Sequence, residues 1–256
     1  MNYPNDYIYK YAEEEISKQN LYDKKVLFVF GDSWTNNRYI KNPKKHWCYL
    51  LKQKLDYDLV VNISDNYDSN YEIFDCVKKT LSDKDYPMNQ QSYLDKLKEF
   101  KVVIDWSTPM RDSTSVAEMY SPWNTATIPN LDSKKPNTKL WLDYVDRWFR
   151  IEMYSYDTQK RILFLQEFFN HNKIDWYMFM GFTPLVEKQF YNTEYDLRKW
   201  IDKKRFLFLN GFPNNMQDYL ITTLDKSFQQ DININEMQFK NDRHRYFDNE
   251  VFTSDG

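Results

Sequence analysis

Ser33 is the residue of this chain best placed to act as a nucleophile. It follows Val26-Leu27-Phe28-Val29-Phe30-Gly31-Asp32, an apolar run that breaks into Gly-Asp-Ser. Such a run, bounded by a turn signal, is the pattern of a buried strand. The glycine at its end permits backbone geometry that other residues avoid. The chain has only four glycines, Gly31, Gly181, Gly211 and Gly256, so one at this spot is not filler. Ser33 is thereby left at the carboxyl edge of a sheet, where open α/β folds hold their ligands. A serine hydroxyl becomes a useful nucleophile only when a base takes its proton. The competing assignment for Ser33 is the N-cap of the following helix, satisfying orphan N–H groups. Asp32 is assigned first as a turn-stabilising residue, because its side chain can bond local backbone.

Other chemically capable residues have simpler explanations. His46 opens one expected helix and His171 closes another, and helix ends accommodate such polar groups readily. Asp105 and Arg111 flank the expected pocket and are read as an ion pair rather than as substrate ligands. Trp106, Trp123 and Trp141 could form a sugar platform, with core packing as the first assignment. Cys48 and Cys76 form no C-x-x-C pair and are too few for a disulfide framework, so both are expected as reduced thiols. There is no H-E-x-x-H, no Cys/His cluster and no Walker pattern, so neither a metal site nor a cofactor is expected.

The elements that must position these groups alternate between strand and helix. Strands are expected at 26–30, 59–63, 102–106, 174–180 and 205–209. Helices are expected at 7–20, 46–55, 70–81, 91–100 and 140–170. Alternation of this kind predicts a parallel sheet covered on both faces. Residues 107–138, with four prolines and many Ser, Thr and Asn, predict a loop longer than compact domains usually carry. Neither a repeat nor a linker divides residues 1–256, which are taken as one domain. That length is enough to bury about three quarters of the unfolded surface.

Composition narrows the partners. Lys and Arg total 35 against 38 Asp and Glu, a formal net charge of −3. The balance excludes a general nucleic-acid binder, which needs a clustered basic face. No run of 18 apolar residues crosses a membrane, and Met1-Asn2-Tyr3-Pro4-Asn5-Asp6 lacks a signal-peptide profile, so a soluble cytoplasmic protein is expected. The 21 Tyr, 18 Phe and 8 Trp would suit a sugar-binding surface. Their even spread along the chain, rather than in patches, makes AT-rich coding the first explanation. Nothing in the pattern sets an oligomeric state.

Four ordered segments together resemble the SGNH (GDSL-like) hydrolases, in the divergent form often encoded by bacteriophages. Phe30-Gly31-Asp32-Ser33-Trp34 is similar to the first block of that family, which carries the nucleophile. Asn62-Ile63-Ser64-Asp65-Asn66-Tyr67-Asp68-Ser69-Asn70-Tyr71-Glu72-Ile73 resembles the second, and Val102 to Arg111 the third. The likeness covers most of the chain in order and spacing, and the first block alone is specific by itself. It implies a three-layer α/β/α sandwich with a central parallel sheet, flavodoxin-like in outline and of the SGNH hydrolase type.

The resemblance also implies chemistry. Ser33 would attack an ester carbonyl, His244 would take its proton, and Asp242 would orient the imidazole. The Ser33 N–H, the Tyr67 N–H and the Ser107 hydroxyl would hold the oxyanion, with Gly31, Asp32 and Asn70 lining the pocket. Two positions depart from the pattern. Tyr67 falls where the family has a glycine, and Ser107 falls near the family's asparagine. For the base, Asp242-Arg243-His244 is one candidate. Ser254-Asp255-Gly256 resembles the opening of Asp-Gly-His-Pro, which would put the histidine beyond Gly256. The activity implied is an esterase or deacetylase acting on an O-acylated carbohydrate or related small-molecule ester. The alternative is a catalytically impaired SGNH-fold protein that binds glycans or builds a virion. A flavodoxin-like regulator using Asp32 is a third, less supported option.

Overall fold

The computed structural model describes residues 20–32, 35, 46–64, 69–82, 93–109, 151–181, 183–186, 190–209, 213–216, 218–219, 247–248 and 251–252. The expected helix at 7–20, the loop beyond Pro109 and the first part of the helix at 140–170 lie outside them. Four parallel strands form the centre: β1 (Lys25–Gly31), β2 (Leu59–Ser64), β3 (Glu99–Trp106) and β4 (Asp175–Met180). Their order is β2-β1-β3-β4. β1 therefore pairs on both edges, Gly31 with Ser64 on one side and Phe30 with Ile104 on the other. A separate antiparallel pair joins β5 (Phe247–Asp248) to β6 (Val251–Phe252).

Why β1 is central follows from its side chains. Val26, Leu27, Phe28, Val29 and Phe30 are all fully buried, so the strand has no solvent face and needs no polar alternation. Alternate residues feed two separate cores. Val26, Phe28 and Phe30 join Val102, Ile104, Trp106, Trp176 and Met178 in the larger one. Leu27 and Val29 join Val103, Phe179 and Cys48 in the smaller. Helices α2 (Asn70–Ser82) and α3 (Ile151–His171) contribute Ile73, Val77, Ile162, Leu165 and Phe169 to the first core. Helix α1 (Trp47–Lys54) contributes Cys48 to the second, with Trp47 and Leu51 packed against it. The chain is thus an α/β protein, a four-stranded parallel sheet with helices packed on it. Among the described residues no helix is long and apolar enough to cross a membrane.

Local chemistry sets the helix ends. His46 caps α1, its side chain accepting from the Cys48 N–H. Ser69 and Glu72 form a reciprocal capping box at α2: the Ser69 N–H donates to the Glu72 carboxylate at 2.6 Å, and the Glu72 N–H donates to the Ser69 hydroxyl at 3.2 Å. Asp56 and Lys173 take positive φ, 57° and 56°, just beyond α1 and α3. The Tyr57 N–H then reaches Lys52 and the Ile174 N–H reaches Phe169, closing both helices in the Schellman manner.

Two expected elements take other forms. The helix at 91–100 is replaced by a 3-10 turn at Tyr93–Lys96, followed by the start of β3. Glu99 and Phe100 extend that strand because Lys25 and Val26 offer partners for them, and tertiary pairing outweighs local helical spacing. The strand expected at 205–209 shrinks to a single parallel bridge between Phe206 and Met178. Phe208 adopts φ 62°, a left-handed conformation that ends any extended run there.

Candidate functional site

The carboxyl ends of β1, β2 and β3 meet in a buried polar corner. β1 leaves the sheet at Gly31 and passes to Asp32, which is only 1% exposed. The Thr35 N–H donates to the Asp32 carbonyl at 3.1 Å, closing a turn that spans Ser33 and Trp34 in sequence. Two neighbouring strands hold the far end of that turn. From β3, the Asp105 carboxylate accepts from the Thr35 hydroxyl at 2.8 Å. From β2, the Asn62 amide donates to the Thr35 carbonyl at 2.6 Å. Asn62 is oriented in turn by the Ser64 hydroxyl, which donates to its Oδ1 at 2.7 Å.

Glycines make room for this corner. A Cβ on Gly31 would stand 2.5 Å from the Thr35 Oγ1 and 3.0 Å from the Asp105 Cβ. One on Gly181, just past β4, would stand 2.7 Å from an Asp105 carboxylate oxygen. Two of the four glycines therefore serve one aspartate. Cys48 packs nearby, its sulfur 3.9 Å from the Asn62 amide. Burial pushes the Cys48 thiol well above its ordinary value, and the Asp105 charge raises it further. Such a thiol is inert as a nucleophile.

A second polar group adjoins the first through β3. Asn70, set at the start of α2 by the capping box, donates to the Ser107 carbonyl at 3.0 Å and the Thr108 carbonyl at 3.3 Å. The same amide reaches the Thr158 hydroxyl on α3 at 3.2 Å. Asn70 Oδ1 and the Ser107 hydroxyl are both buried without a hydrogen-bond partner among the described residues. Buried polar atoms of this kind call for an explanation, since each unmet group costs about 1–3 kcal/mol.

Four of the residues assigned to the pocket from sequence fall among the described residues. Gly31 and Asp32 lie in the first group, Asn70 and Ser107 in the second, and β3 links them over the two residues from Asp105 to Ser107. Ser33, Tyr67, Asp242 and His244 lie outside the described residues, as do Arg111, Trp123 and Trp141. Trp106 is a core residue, fully buried, with its indole N–H donated to the Met178 sulfur. His46 is a helix cap and His171 the last residue of α3. Cys48 and Cys76 are buried free thiols. Asn62 opens the segment matched to the second block, but its bond to Thr35 was not foreseen; Thr35 and Thr158 escaped sequence reasoning, and only the nearness of Thr35 to Ser33 could have pointed to the former. Among the described residues no group of three or more His, Cys, Asp and Glu could hold a metal ion.

The chain matches no protein-family profile, no curated protein and no solved structure. Its chemistry is therefore argued from the corner itself.

Proposed function

We propose that the chain is a serine hydrolase of the SGNH type, built as a three-layer α/β/α domain and acting on an ester such as an O-acylated carbohydrate. The observation that carries this reading is the strand order. The chain leaves β1 toward β2 on one side and returns to β3 on the other, so the order reverses at β1. A reversal of this kind opens a crevice at the carboxyl ends of the strands, which is where open parallel sheets bind ligands. Gly31-Asp32-Ser33 leaves the sheet at that reversal.

On this reading Ser33 attacks the acyl carbon while His244 takes the hydroxyl proton and Asp242 holds the imidazole tautomer. The tetrahedral oxyanion is met by the Ser33 and Tyr67 N–H groups and by the Ser107 hydroxyl. That hydroxyl has no partner among the described residues, which leaves its proton available for the task. Collapse expels the alcohol with the proton from His244, and water then clears the acyl group by the same route.

A fluorophosphonate probe tests the reading. Wild type is expected to be labelled at one site, and Ser33→Ala and His244→Ala to lose the label. Labelling that survives Ser33→Ala, or an unlabelled wild type, overturns it. The full burial of Ser107 favours a second reading, a glycan-binding scaffold without turnover. Glycan binding retained in Ser33→Ala, with no ester hydrolysis by wild type, would select that one.

A further inference from the structure

The most constrained polar residue at the β1 exit is Thr35. All three of its hydrogen-bonding groups are engaged, each by a different part of the chain. Its N–H goes to the Asp32 carbonyl, its carbonyl accepts from Asn62 on β2, and its hydroxyl goes to Asp105 on β3. Thr35 is itself fully buried, as is Asp105. A buried carboxylate is expensive to keep unless hydrogen bonds hold it, and a plain packing site would use an apolar residue. The absence of side chains at Gly31 and Gly181 is what lets Asp105 reach this position.

We infer that Asp105, acting through the Thr35 hydroxyl, is a positioning residue that fixes Thr35 at the exit of β1, two positions after the proposed nucleophile Ser33 in sequence. The inference rests on the serine-hydrolase reading for its functional consequence, and on the hydrogen bonds alone for its structural one. The geometry explains why a charge is used here. A carboxylate accepts a shorter, stronger bond from a hydroxyl than a neutral acceptor does. Asp105 also sits on β3, which is locked to β1 over six residue pairs, so the anchor is as rigid as the sheet. Small displacements of a nucleophile lower the rate steeply, so a rigid anchor is worth its desolvation.

The experiment compares Thr35→Ser, Thr35→Val and Thr35→Ala with wild type in the full chain. Fluorophosphonate labelling of Ser33 and hydrolysis of a chromogenic acetate ester report function. Amide hydrogen exchange at residue 35 reports the turn. Thr35→Val and Thr35→Ala are expected to lower the labelling rate and kcat at least tenfold with KM within about twofold. Thr35→Ser, which restores the hydroxyl, is expected to recover most of the rate. Exchange at residue 35 should be at least tenfold faster in the two variants lacking the hydroxyl than in Thr35→Ser. Labelling and exchange in Thr35→Ala equal to those of Thr35→Ser overturn the inference. An unlabelled wild type with the exchange pattern intact removes the hydrolase reading and leaves Asp105 as the anchor of the turn. Asp105→Asn, which keeps an acceptor oxygen and loses the charge, should fall between Thr35→Ser and Thr35→Ala in both readouts, and an effect larger than that of Thr35→Ala would also count against the inference.

Discussion

The Asn70 amide donates to the Ser107 carbonyl at 3.0 Å, tying the first turn of α2 to the end of β3 across 37 residues. Two protons on one nitrogen serve three acceptors there, with Thr108 and Thr158 as the others. Asn70→Ala would take this donor from the buried Ser107 carbonyl and Thr158 hydroxyl. The expected loss is about 2–3 kcal/mol in denaturant-midpoint measurements. Asn70→Asp should be worse, because it aims a carboxylate at two carbonyls. Equal stability of the Asp and Asn proteins would contradict the geometry.

Gly31→Ala should destabilise the protein by about 2 kcal/mol or more, since the new methyl would overlap the Thr35 side chain. The same clash predicts coupling. Adding Thr35→Gly to Gly31→Ala removes the overlapping atoms, so the double variant should cost less than the sum of the single ones. Strict additivity in a thermodynamic cycle would show that the two residues do not touch.

Cys48 should resist alkylation. Its thiol is held protonated by burial and by the Asp105 charge, so little thiolate exists at pH 8. Iodoacetamide is expected to modify it slowly in native buffer and fully in denaturant, read by intact mass. Fast native labelling at this residue would mean that the corner is open. Asp105→Asn should lower the barrier modestly by removing one of the two causes.

Stability should fall in acid through Asp196. The Arg198 side chain, hydrogen-bonded to it at 2.8 and 2.9 Å, holds the Asp196 carboxyl down at about 2, from an ordinary 3.8. A depressed folded value contributes stability that is fully present above the unfolded value and lost as pH drops toward 2. The loss from this residue is about 2 kcal/mol between pH 5 and pH 2. Asp175 adds to it in the same direction, since hydrogen bonds from Lys101 and Arg205 outweigh the opposing effect of burial. Asp196→Asn should flatten this part of the profile, and an unchanged acid slope would assign the effect elsewhere.

Much of the sheet was legible because its strands are unbroken apolar runs. Val26 to Phe30 and Val102 to Trp106 have no helical period to compete with, and α2 announces itself at Asn70. The miss at 91–100 has a definite cause. Glu99-Phe100-Lys101 carries a local pattern that fits a helix, and only the presence of Lys25 and Asp175 as partners makes it strand. Phe208 shows the reverse, an aromatic of high strand preference placed in a left-handed conformation by its surroundings. Of the candidate site, Gly31 and Asp32 could be found from their place after a strand, and Asp105 was noticed with Arg111 as its expected partner. Its hydrogen bond to Thr35 spans 70 residues, a separation that no local pattern encodes. The glutamines of α3 make the same point. Gln159 and Gln166, two turns apart, each donate to and accept from the backbone of the 195–202 segment. In sequence they resemble solvent-facing residues.

The central place of β1 has a consequence for how the molecule is made. During synthesis β1 can pair with β2 once about 64 residues have left the ribosome, but its other edge stays bare until β3 is translated. Asp105 arrives only then, so one of the three hydrogen bonds that hold Thr35 cannot form while the chain is short. A nascent fragment ending before β3 would hold Thr35 through Asn62 of β2 alone, with its hydroxyl still lacking the Asp105 acceptor.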